Sequence, residues 1–354
     1  MNILKFQGLV AKLAPGRGDN TRWLGSLSPT DVSFIAQTAS HVGEALAAVS
    51  YLEEHGISAR IFLPNPPQGV TRTLRRSFHR AIEAQSQMTS VGVKDVPQLI
   101  SVENIVATSS KIVVFNDWGM PKDLVSEANR LGVETFGWVE GFQDFTNADL
   151  DRKDLPYRRV QRVFGLVASE KQFFESSQFL LVGSPRLANI ERGQIPHVDR
   201  NIDVLVNLNF SYGVSRRYAR DWSSKVAHAC ELASREASFT RHPLDKPGWG
   251  YRHESIGPLG SVICNARTLV TRSGTALLEG LAAGCDVIFF NPNSEKAAQY
   301  LVDEFPGIRE VNTESELLMA LGENDPKCAE LPAVSNFSEP DPLELLLAAI
   351  VNKD

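Results

Sequence analysis

Two short groups of polar residues in the second half of the sequence have the composition of a phosphate-binding site. Each group follows a buried strand that an apolar run predicts. The groups are Arg241-His242-Pro243 and Ser273-Gly274-Thr275. Because parallel strands end at the same edge of a sheet, the His242 imidazole and the Ser273 hydroxyl can converge on one phosphate. A histidine there can stabilise or protonate a departing phosphate, which makes His242 a candidate catalytic residue, with a purely structural histidine as the alternative.

The helix predicted at 275–284 adds groups that suit a nucleotide. Ser273 and Thr275 stand at its N-terminus, where free N–H groups and the helix dipole attract a phosphate. Glu279 lies further along the helix, and its carboxylate can accept hydrogen bonds from ribose hydroxyls. The alternative interpretation is a well-capped helix with a solvated glutamate.

Two carboxylates in the first half of the chain each end a predicted strand, and they are Asp117 and Glu140. Either can remove a proton from a hydroxyl or act as a nucleophile. Gly141 would allow a ligand to approach the backbone beside Glu140, which ranks Glu140 first. An equally weighted alternative for Asp117 is capping of the helix that begins near Pro121. Asp144 is a weaker third candidate.

Other residues are candidate ligand contacts. Three of them follow the first strand and suit an acceptor or a sugar: His41, Gly43 and Glu44. Gly43 would permit close approach to the helix N-terminus, although packing of helix on strand explains it equally well. Three arginines can pair with a carboxylate on the ligand: Arg241, Arg267 and Arg272. His253 and Glu254 are candidates for flanking a nucleotide base.

The elements that position these residues alternate between short apolar strands and amphipathic helices. Strand 32–38, helix 41–56 and strand 57–64 make a first βαβ unit, and the alternation restarts near residue 201. This pattern predicts parallel sheets covered by helices on both faces. We expect an α/β protein with two Rossmann-like domains that face each other across a cleft. Its predicted parts are an N-terminal domain (1–187), a linker (188–200), a C-terminal nucleotide-binding domain (201–325), and a tail with a terminal helix (326–354).

The two-domain layout and the segment LLEGLAAGCDVIFF resemble the GT-B glycosyltransferases. More narrowly, His242-Pro243 followed by Ser273-Gly274-Thr275 resembles the HP and Ser/Thr motifs of bacterial sialyltransferases and Kdo transferases, which use CMP-activated sugars. Val139-Glu140-Gly141 is the candidate match to their acidic-Gly motif. The sequence departs from the sialyltransferase pattern in having a single acidic residue there and no Ser-Ser pair at Ser273.

The resemblance implies a glycosyltransferase that moves Kdo or a sialic-acid-like sugar from a CMP-activated donor to a bacterial surface glycan or a lipid-linked glycan. The second domain would bind the nucleotide sugar, and the first would bind the acceptor. No cofactor and no metal are expected, because no His/Asp cluster in the sequence suggests a metal site. Three alternatives remain: a UDP-sugar-dependent transferase, a nucleotide-sugar 2-epimerase-like enzyme, and a non-catalytic sugar-nucleotide-binding module.

The amino-acid composition disfavours several other classes of protein. Hydrophobic residues make up 43% and charged residues 22% of the 354 residues, as in soluble globular proteins. The net charge of −6 disfavours a nucleic-acid binder. No signal peptide or membrane span is evident, so we expect a cytoplasmic protein. A predicted helix has a basic face formed by Arg72, Arg75, Arg76 and Arg80. This face is a solvated surface or, alternatively, a contact for an anionic acceptor or for the inner membrane.

Overall fold

The computed structural model of the protein describes residues 29–36, 39–62, 102–117, 120–141, 156–209, 216–241, 253–272, 274–294, 299–322 and 337–351. The chain forms two compact units. The first unit comprises Met1–Glu140, Asp154–Val182 and Leu345–Asp354, and the second comprises Gly141–Lys153 and Gly183–Glu344.

The first unit contains a parallel sheet. Its strands are β1 (Thr30–Ile35), β2 (Ala59–Phe62), β3 (Ser109–Val114), β4 (Glu134–Trp138), β5 (Arg162–Gly165) and β6 (Phe179–Leu181). Their order is β2-β1-β3-β4-β5-β6. Helices described in this unit are α1 (Ala39–Glu54), α2 (Val102–Thr108) and α3 (Met120–Arg130), with a 3-10 turn at Ala168–Phe173. In β1, Val32 to Ile35 are fully buried, as expected for a parallel strand covered on both faces.

The second unit contains a second parallel sheet. Its strands are β7 (Ile202–Leu208), β8 (Ala237–Arg241), β9 (Ala266–Thr271), β10 (Asp286–Phe290) and β11 (Ile308–Val311), in the order β11-β10-β9-β7-β8. The described helices are α4 (Pro185–Arg192), α5 (Arg216–Leu232), α6 (Leu259–Val262), α7 (Ala276–Ala282), α8 (Gln299–Glu304) and α9 (Glu314–Gly322). Short 3-10 turns occupy His197–Asp199 and Ile263–Asn265. The last helix, α10, spans Pro342–Val351, and its residues from Leu345 onward belong to the first unit.

The predicted fold class is confirmed, because both units are parallel α/β sheets with helical connections. The predicted strands and helices among the described residues recur with ends shifted by a few residues, as helix and strand ends commonly are. The terminal helix predicted at 342–351 has those bounds. A helix predicted at about 70–87 lies outside the described residues.

The segment predicted as a linker, 188–200, differs from that expectation. It begins inside α4, whose N-cap is Ser184, with Pro185 at its first position and Gly193 as its C-cap. The longer segment of the second unit starts at Gly183 rather than at residue 201. The Ser-Pro start and the Gly end are ordinary helix signals, but this helix is short and directly follows a strand-like run.

The end of that segment is fixed by a buried arginine. Arg200 is 4% exposed and donates hydrogen bonds to the carbonyl oxygens of Ala266 (2.8 Å), Ala283 (2.7 Å) and Gly284 (2.7 Å). A cation at the C-terminus of α7 neutralises the negative end of the helix dipole. Arg200 thereby ties the C-terminal end of α7 to the start of β9, and the candidate nucleotide contacts lie at the other end of this helix.

The spacing between α7 and its sheet depends on a glycine. A Cβ at Gly280 would lie 2.6 Å from Leu269 Cδ2 and 2.8 Å from Val287 Cγ2. Real side chains do not approach so closely, so only glycine lets α7 pack directly on β9 and β10.

Asp117 and Tyr157 clamp the ends of β3 and β4. Tyr157 donates its hydroxyl to the carbonyl oxygens of Phe115 (2.6 Å) and Trp138 (3.2 Å). The buried Asp117 carboxylate accepts the backbone N–H groups of Tyr157 (2.9 Å) and Arg159 (3.2 Å). These partners lie about forty residues away in the sequence, so the carboxylate joins two segments and does not cap α3 in the described chain.

An ion pair lies at the edge of the second sheet where its strands begin. Arg235 Nε donates to both carboxylate oxygens of Asp203 (2.9 and 2.8 Å), and its other nitrogens reach Leu321 O and Thr268 Oγ1. Burial acts to raise the pKa of Asp203, but hydrogen bonds and the charge of Arg235 hold that pKa below its usual value. The pair connects β7, β9 and the end of α9.

Neither a long apolar helix nor a disulfide is found in the part of the chain that the structure describes. None of its helices is long and apolar enough to cross a membrane. Cys230 and Cys285 are buried, and burial raises the pKa of the Cys230 thiol to about 11. Cys230 therefore stays protonated at neutral pH.

We predict that Asp203→Asn lowers the thermal midpoint at neutral pH and loses this effect in acid. Because the folded-state pKa of Asp203 is depressed, its stabilisation is complete above the unfolded value of about 3.9 and is lost as the pH falls through the lower folded value. Thermal midpoints of wild type and variant, measured from neutral pH to below about pH 4, should converge at the acid end. Asp221→Asn, which breaks an exposed pair with Lys225, is the control. A constant difference at all pH values would contradict the assignment.

We also predict that Asp117→Asn destabilises the first unit by about 1 to 3 kcal/mol, because an amide cannot accept both backbone N–H groups. The midpoint of urea unfolding measures this loss. Asp123→Asn, on the exposed surface of α3, should lower the midpoint much less, because it removes only an exposed charge from the first turn of that helix. An unchanged midpoint in Asp117→Asn would show that the clamp contributes nothing to folding.

Candidate functional site

The carboxyl edge of the first sheet has a topological switch point between β1 and β3. The chain leaves β1 toward β2 on one side, and β3 lies on the other side. Ligands of open α/β sheets bind in the crevice outside the carboxyl ends of such strands. Register places Ile35 beside Val114, and Val114 beside Gly137, so the residues that follow them form the rim.

Aromatic rings line this rim. The His41 ring stacks on Phe115, with centroids 4.8 Å apart and an interplanar angle of 20°. Phe115 in turn stacks on Trp138 at 5.6 Å and 18°. A Cβ at Gly137 would lie 2.3 Å from the Tyr157 ring, so glycine is needed there for Tyr157 to support the stack. The rings fix the orientation of the His41 imidazole.

Glu140 lies two residues beyond Trp138 and is hydrogen-bonded to that imidazole. His41 Nε2 and Glu140 Oε1 are 2.6 Å apart. An ionised carboxylate can only accept, so the imidazole donates its Nε2–H. The His41 side chain is 2% exposed and that of Glu140 is 24% exposed. The Glu140 carboxylate is therefore oriented by a buried histidine, and its exposed part is accessible to a ligand from solvent.

The other first-half candidates lie deeper. Asp117 has no exposed surface, and its oxygens are engaged by the Tyr157 and Arg159 backbone. Glu44 is only 2% exposed, whereas Gly43 is half-buried. The arrangement brings His41 and Glu140 together and leaves Asp117 in a structural position.

The second sheet has its own switch point, between β7 and β9. A row of buried polar residues crosses three strands just before their carboxyl ends. Its members are Thr240, Asn207 and Thr271, paired in register. One residue further along, Leu208 of β7 lies beside Arg241 of β8. On the other side of β7, Arg272 directly follows β9. Strands lie about 4.8 Å apart, so these arginines occupy strand ends roughly 10 Å apart.

Both arginines are tied to neighbouring segments. Arg272 Nη1 donates to Asn209 O at 3.2 Å, and its guanidinium lies 6.0 Å from the centroid of the Tyr218 ring. Arg241 Nη2 donates to His253 O. The His253 ring stacks on Phe239 at 3.9 Å and 6°. His253 thus packs on the edge strand β8, next to the predicted base-flanking position of Glu254.

Thr275 precedes α7, which has seven residues and is shorter than predicted. Its side chain makes no capping hydrogen bond to the helix. A Cβ at Gly141 would lie 2.6 Å from Thr275 Oγ1, and both residues belong to the second unit. Gly141 therefore leaves room for Thr275, whereas the sequence suggested room for a ligand. Gly274, the residue directly before Thr275, is buried.

Glu279, the predicted ribose contact, is paired with an arginine that sequence analysis overlooked. Arg186 Nη1 donates to Glu279 Oε1, and the two side chains are 26% and 9% exposed. Arg186 stands in the first turn of α4, which packs against α7. The Ser184-Pro185 start of α4 was the signal that could have placed it on a helix.

Several predicted site residues lie outside the described residues: His242, Pro243, Ser273 and Asp144, together with the basic helix of Arg72, Arg75, Arg76 and Arg80. Their roles stay predictions. The described residues contain no group of three or more His, Cys, Asp or Glu side chains that could hold a metal ion.

No protein-family model matches the chain, and no curated protein matches it. Solved structures do. A UDP-GlcNAc 2-epimerase from Methanocaldococcus jannaschii, in complex with UDP-GlcNAc and UDP, has a TM-score of 0.59 at 12% identity and covers 90% of this chain and 99% of its own. A variant of the wall teichoic acid polymerase TagF has a TM-score of 0.53 at 10% identity, with coverages of 92% and 89%.

A third structure, UGT71G1 of Medicago truncatula complexed with UDP-glucose, has a TM-score of 0.54 at 10% identity and covers 92% of this chain and 99% of its own. At such identities the likeness establishes the fold alone. The chain has the two parallel α/β domains of the GT-B fold.

Proposed function

We propose that this protein is an enzyme that acts on a nucleotide-activated sugar and transfers the sugar to an acceptor hydroxyl. The observation that carries the proposal is the 2.6 Å hydrogen bond between buried His41 and accessible Glu140 at the switch point of the first sheet. A carboxylate fixed in this way suits proton removal, because its orientation is set before the substrate binds.

Glu140 acts in the transfer as the general base. Its carboxylate takes the proton of the acceptor hydroxyl while the acceptor oxygen forms a bond to the anomeric carbon of the sugar. The bond between that carbon and the phosphate oxygen breaks, and its electron pair leaves with the nucleotide. His41 keeps the carboxylate oriented through its N–H. In a retaining reaction the same carboxylate would instead be the nucleophile.

The second unit holds the donor in this proposal. Arg241 and Arg272 stand at the strand ends on the two sides of β7, where their charges can balance the phosphate and stabilise the departing nucleotide without a metal. The Thr275 hydroxyl is not used for capping and can donate to a phosphate oxygen. Glu279 accepts hydrogen bonds from the ribose. His242 and Ser273 join this set on sequence grounds alone.

The nucleotide and the sugar are a finer proposal. The HP and Ser/Thr motif resemblance favours CMP and a sugar with a carboxylate, such as Kdo or a sialic-acid-like sugar, which the arginines would pair with. The acceptor would then be a surface glycan or a lipid-linked glycan. A basic face at Arg72, Arg75, Arg76 and Arg80 would bring the enzyme to the membrane that carries such acceptors.

A second candidate function is epimerisation of a UDP-sugar at C2. It is favoured by the likeness to UDP-GlcNAc 2-epimerases, among them the Neisseria meningitidis enzyme bound to UDP-GlcNAc, which has a TM-score of 0.60 at 11% identity. The two functions differ in what they need. An epimerase turns over its nucleotide sugar without an acceptor, whereas a transferase needs an acceptor for full turnover.

We predict that Glu140→Gln lowers turnover of the nucleotide sugar by about 100-fold or more and leaves nucleotide affinity nearly constant, because glutamine keeps the size of the side chain and lacks its basicity. Thermal stabilisation by CMP, CDP, UDP and GDP identifies the nucleotide, and NMR follows turnover of the matching sugar donor with and without glycan acceptors. Glu134→Gln is the matched control, because Glu134 lies at the opposite end of β4 and pairs with Lys111 at 2.9 Å.

Three outcomes separate the alternatives. Turnover without an acceptor, accompanied by a change at C2, would replace the transferase with the epimerase. Nucleotide binding without any turnover would indicate a binding module. If none of the four nucleotides raised the thermal midpoint, the nucleotide-dependent function itself would be wrong, and full activity in Glu140→Gln would remove Glu140 from the mechanism.

A further inference from the structure

Among the described residues of the second unit, four arginine–carboxylate pairs fall into two kinds. In three pairs both carboxylate oxygens accept hydrogen bonds: Asp203 with Arg235, Asp286 with Arg309, and Asp341 with Arg192 and the Leu343 N–H. In the fourth, Arg186 engages only Oε1 of Glu279. Within the described residues, Glu279 Oε2 accepts no hydrogen bond. The first three carboxylates are satisfied by the protein, and the fourth keeps an acceptor for a ligand.

The position of Arg186 is costly for its own helix. It lies in the first turn of α4, where the positive end of the helix dipole disfavours a cation. The neutral N-cap, Ser184, already accepts the Leu187 N–H of this turn at 3.3 Å. The stability of α4 therefore does not explain Arg186.

Glu279, in contrast, depends on its partner. Its side chain is 9% exposed, and burying a carboxylate is costly unless a cation or several hydrogen-bond donors contact it. Arg186 supplies the cation from the solvent side while remaining 26% exposed itself. An acceptor-only group of this kind selects hydroxyl donors and repels phosphate, so it suits the sugar part of a nucleotide.

We propose that Arg186 is a positioning residue that holds the Glu279 carboxylate oriented so that Oε2 accepts a hydrogen bond from a ribose hydroxyl of the bound nucleotide. This inference rests on the proposed nucleotide-binding function of the second unit. It assigns to α4, which sequence analysis placed partly in a linker, the task of selecting ribonucleotides over deoxyribonucleotides.

The test is the ratio of the dissociation constants of a free nucleotide and its 2′-deoxy and 3′-deoxy analogues, measured by calorimetry. Free nucleotides carry no transferred sugar, so the ribose hydroxyls are the only hydroxyls removed. The nucleotide used is the one among CMP, CDP, UDP and GDP that binds most tightly to the wild-type protein.

For the wild type we expect at least one deoxy analogue to bind about ten-fold or more weakly, as for the loss of a hydrogen bond to a charged group. Arg186→Gln should bring this ratio to within about two-fold, and Arg186→Lys should restore part of it because lysine keeps the charge. Glu279→Gln should lose the preference as well, and the double variant should lose no more than either single one.

Arg192→Gln is the control, because Arg192 lies on the same helix and pairs with Asp341. It should leave the ratio unchanged even if it lowers the thermal midpoint. A preserved ribose preference in Arg186→Gln would overturn the inference and leave the nucleotide function intact. Absence of nucleotide binding in the wild type would overturn both.

Discussion

The direction of the strands is the constraint on which the candidate sites depend. All strands in each sheet run parallel, so their carboxyl ends lie along one edge. In each sheet the strand order reverses at a switch point, between β1 and β3 in the first sheet and between β7 and β9 in the second. Residues far apart in the sequence are thereby brought to the same rim. His41 and Glu140 meet at the rim of the first sheet, although 99 positions separate them. At the rim of the second sheet, Arg241 and Arg272 directly follow Thr240 and Thr271, which both pair with Asn207.

Burial then decides which carboxylates can do chemistry. Asp117 and Glu140 both follow strands of the first sheet, yet Asp117 is fully buried and bound by backbone N–H groups, whereas Glu140 is 24% exposed and hydrogen-bonded to the His41 imidazole. A fully buried carboxylate whose oxygens are engaged by backbone donors cannot reach a ligand. The same distinction separates Asp203 from Glu279 in the second sheet. Both oxygens of Asp203 accept hydrogen bonds from Arg235, whereas Arg186 contacts only Oε1 of Glu279.

The sequence was sufficient for most of the fold because the two periodicities are strong. Apolar runs marked the buried parallel strands, and the terminal helix was placed with its observed ends at 342–351. Helix α4 was predicted as part of a linker because the stretch 186–200 shows neither a helical nor a strand period and contains Gly193 and Pro196. Its N-cap Ser184 and C-cap Gly193 carried the correct information.

The candidate sites were predictable as a set of residues but not as pairs. Spacing cannot show that Arg186 reaches Glu279, 93 positions later, or that Asp117 binds the Tyr157 backbone. Such partners depend on which helices pack together and on how closely they pack, as Gly280 shows for α7. Gly141 is a similar case, since its small size accommodates Thr275.

The central claim is that the carboxyl edge of the second sheet binds a nucleotide, and hydrogen exchange with mass spectrometry tests it most directly. Exchange is compared with and without the most strongly stabilising nucleotide at saturation. Slower exchange is expected in peptides that contain residues 239–241 and 271–279, where the strand ends and the start of α7 carry the candidate contacts. Peptides at the opposite edge, such as those containing 200–203 and 266–268, should be unaffected. Protection confined to that opposite edge, or none in either region, would contradict the account.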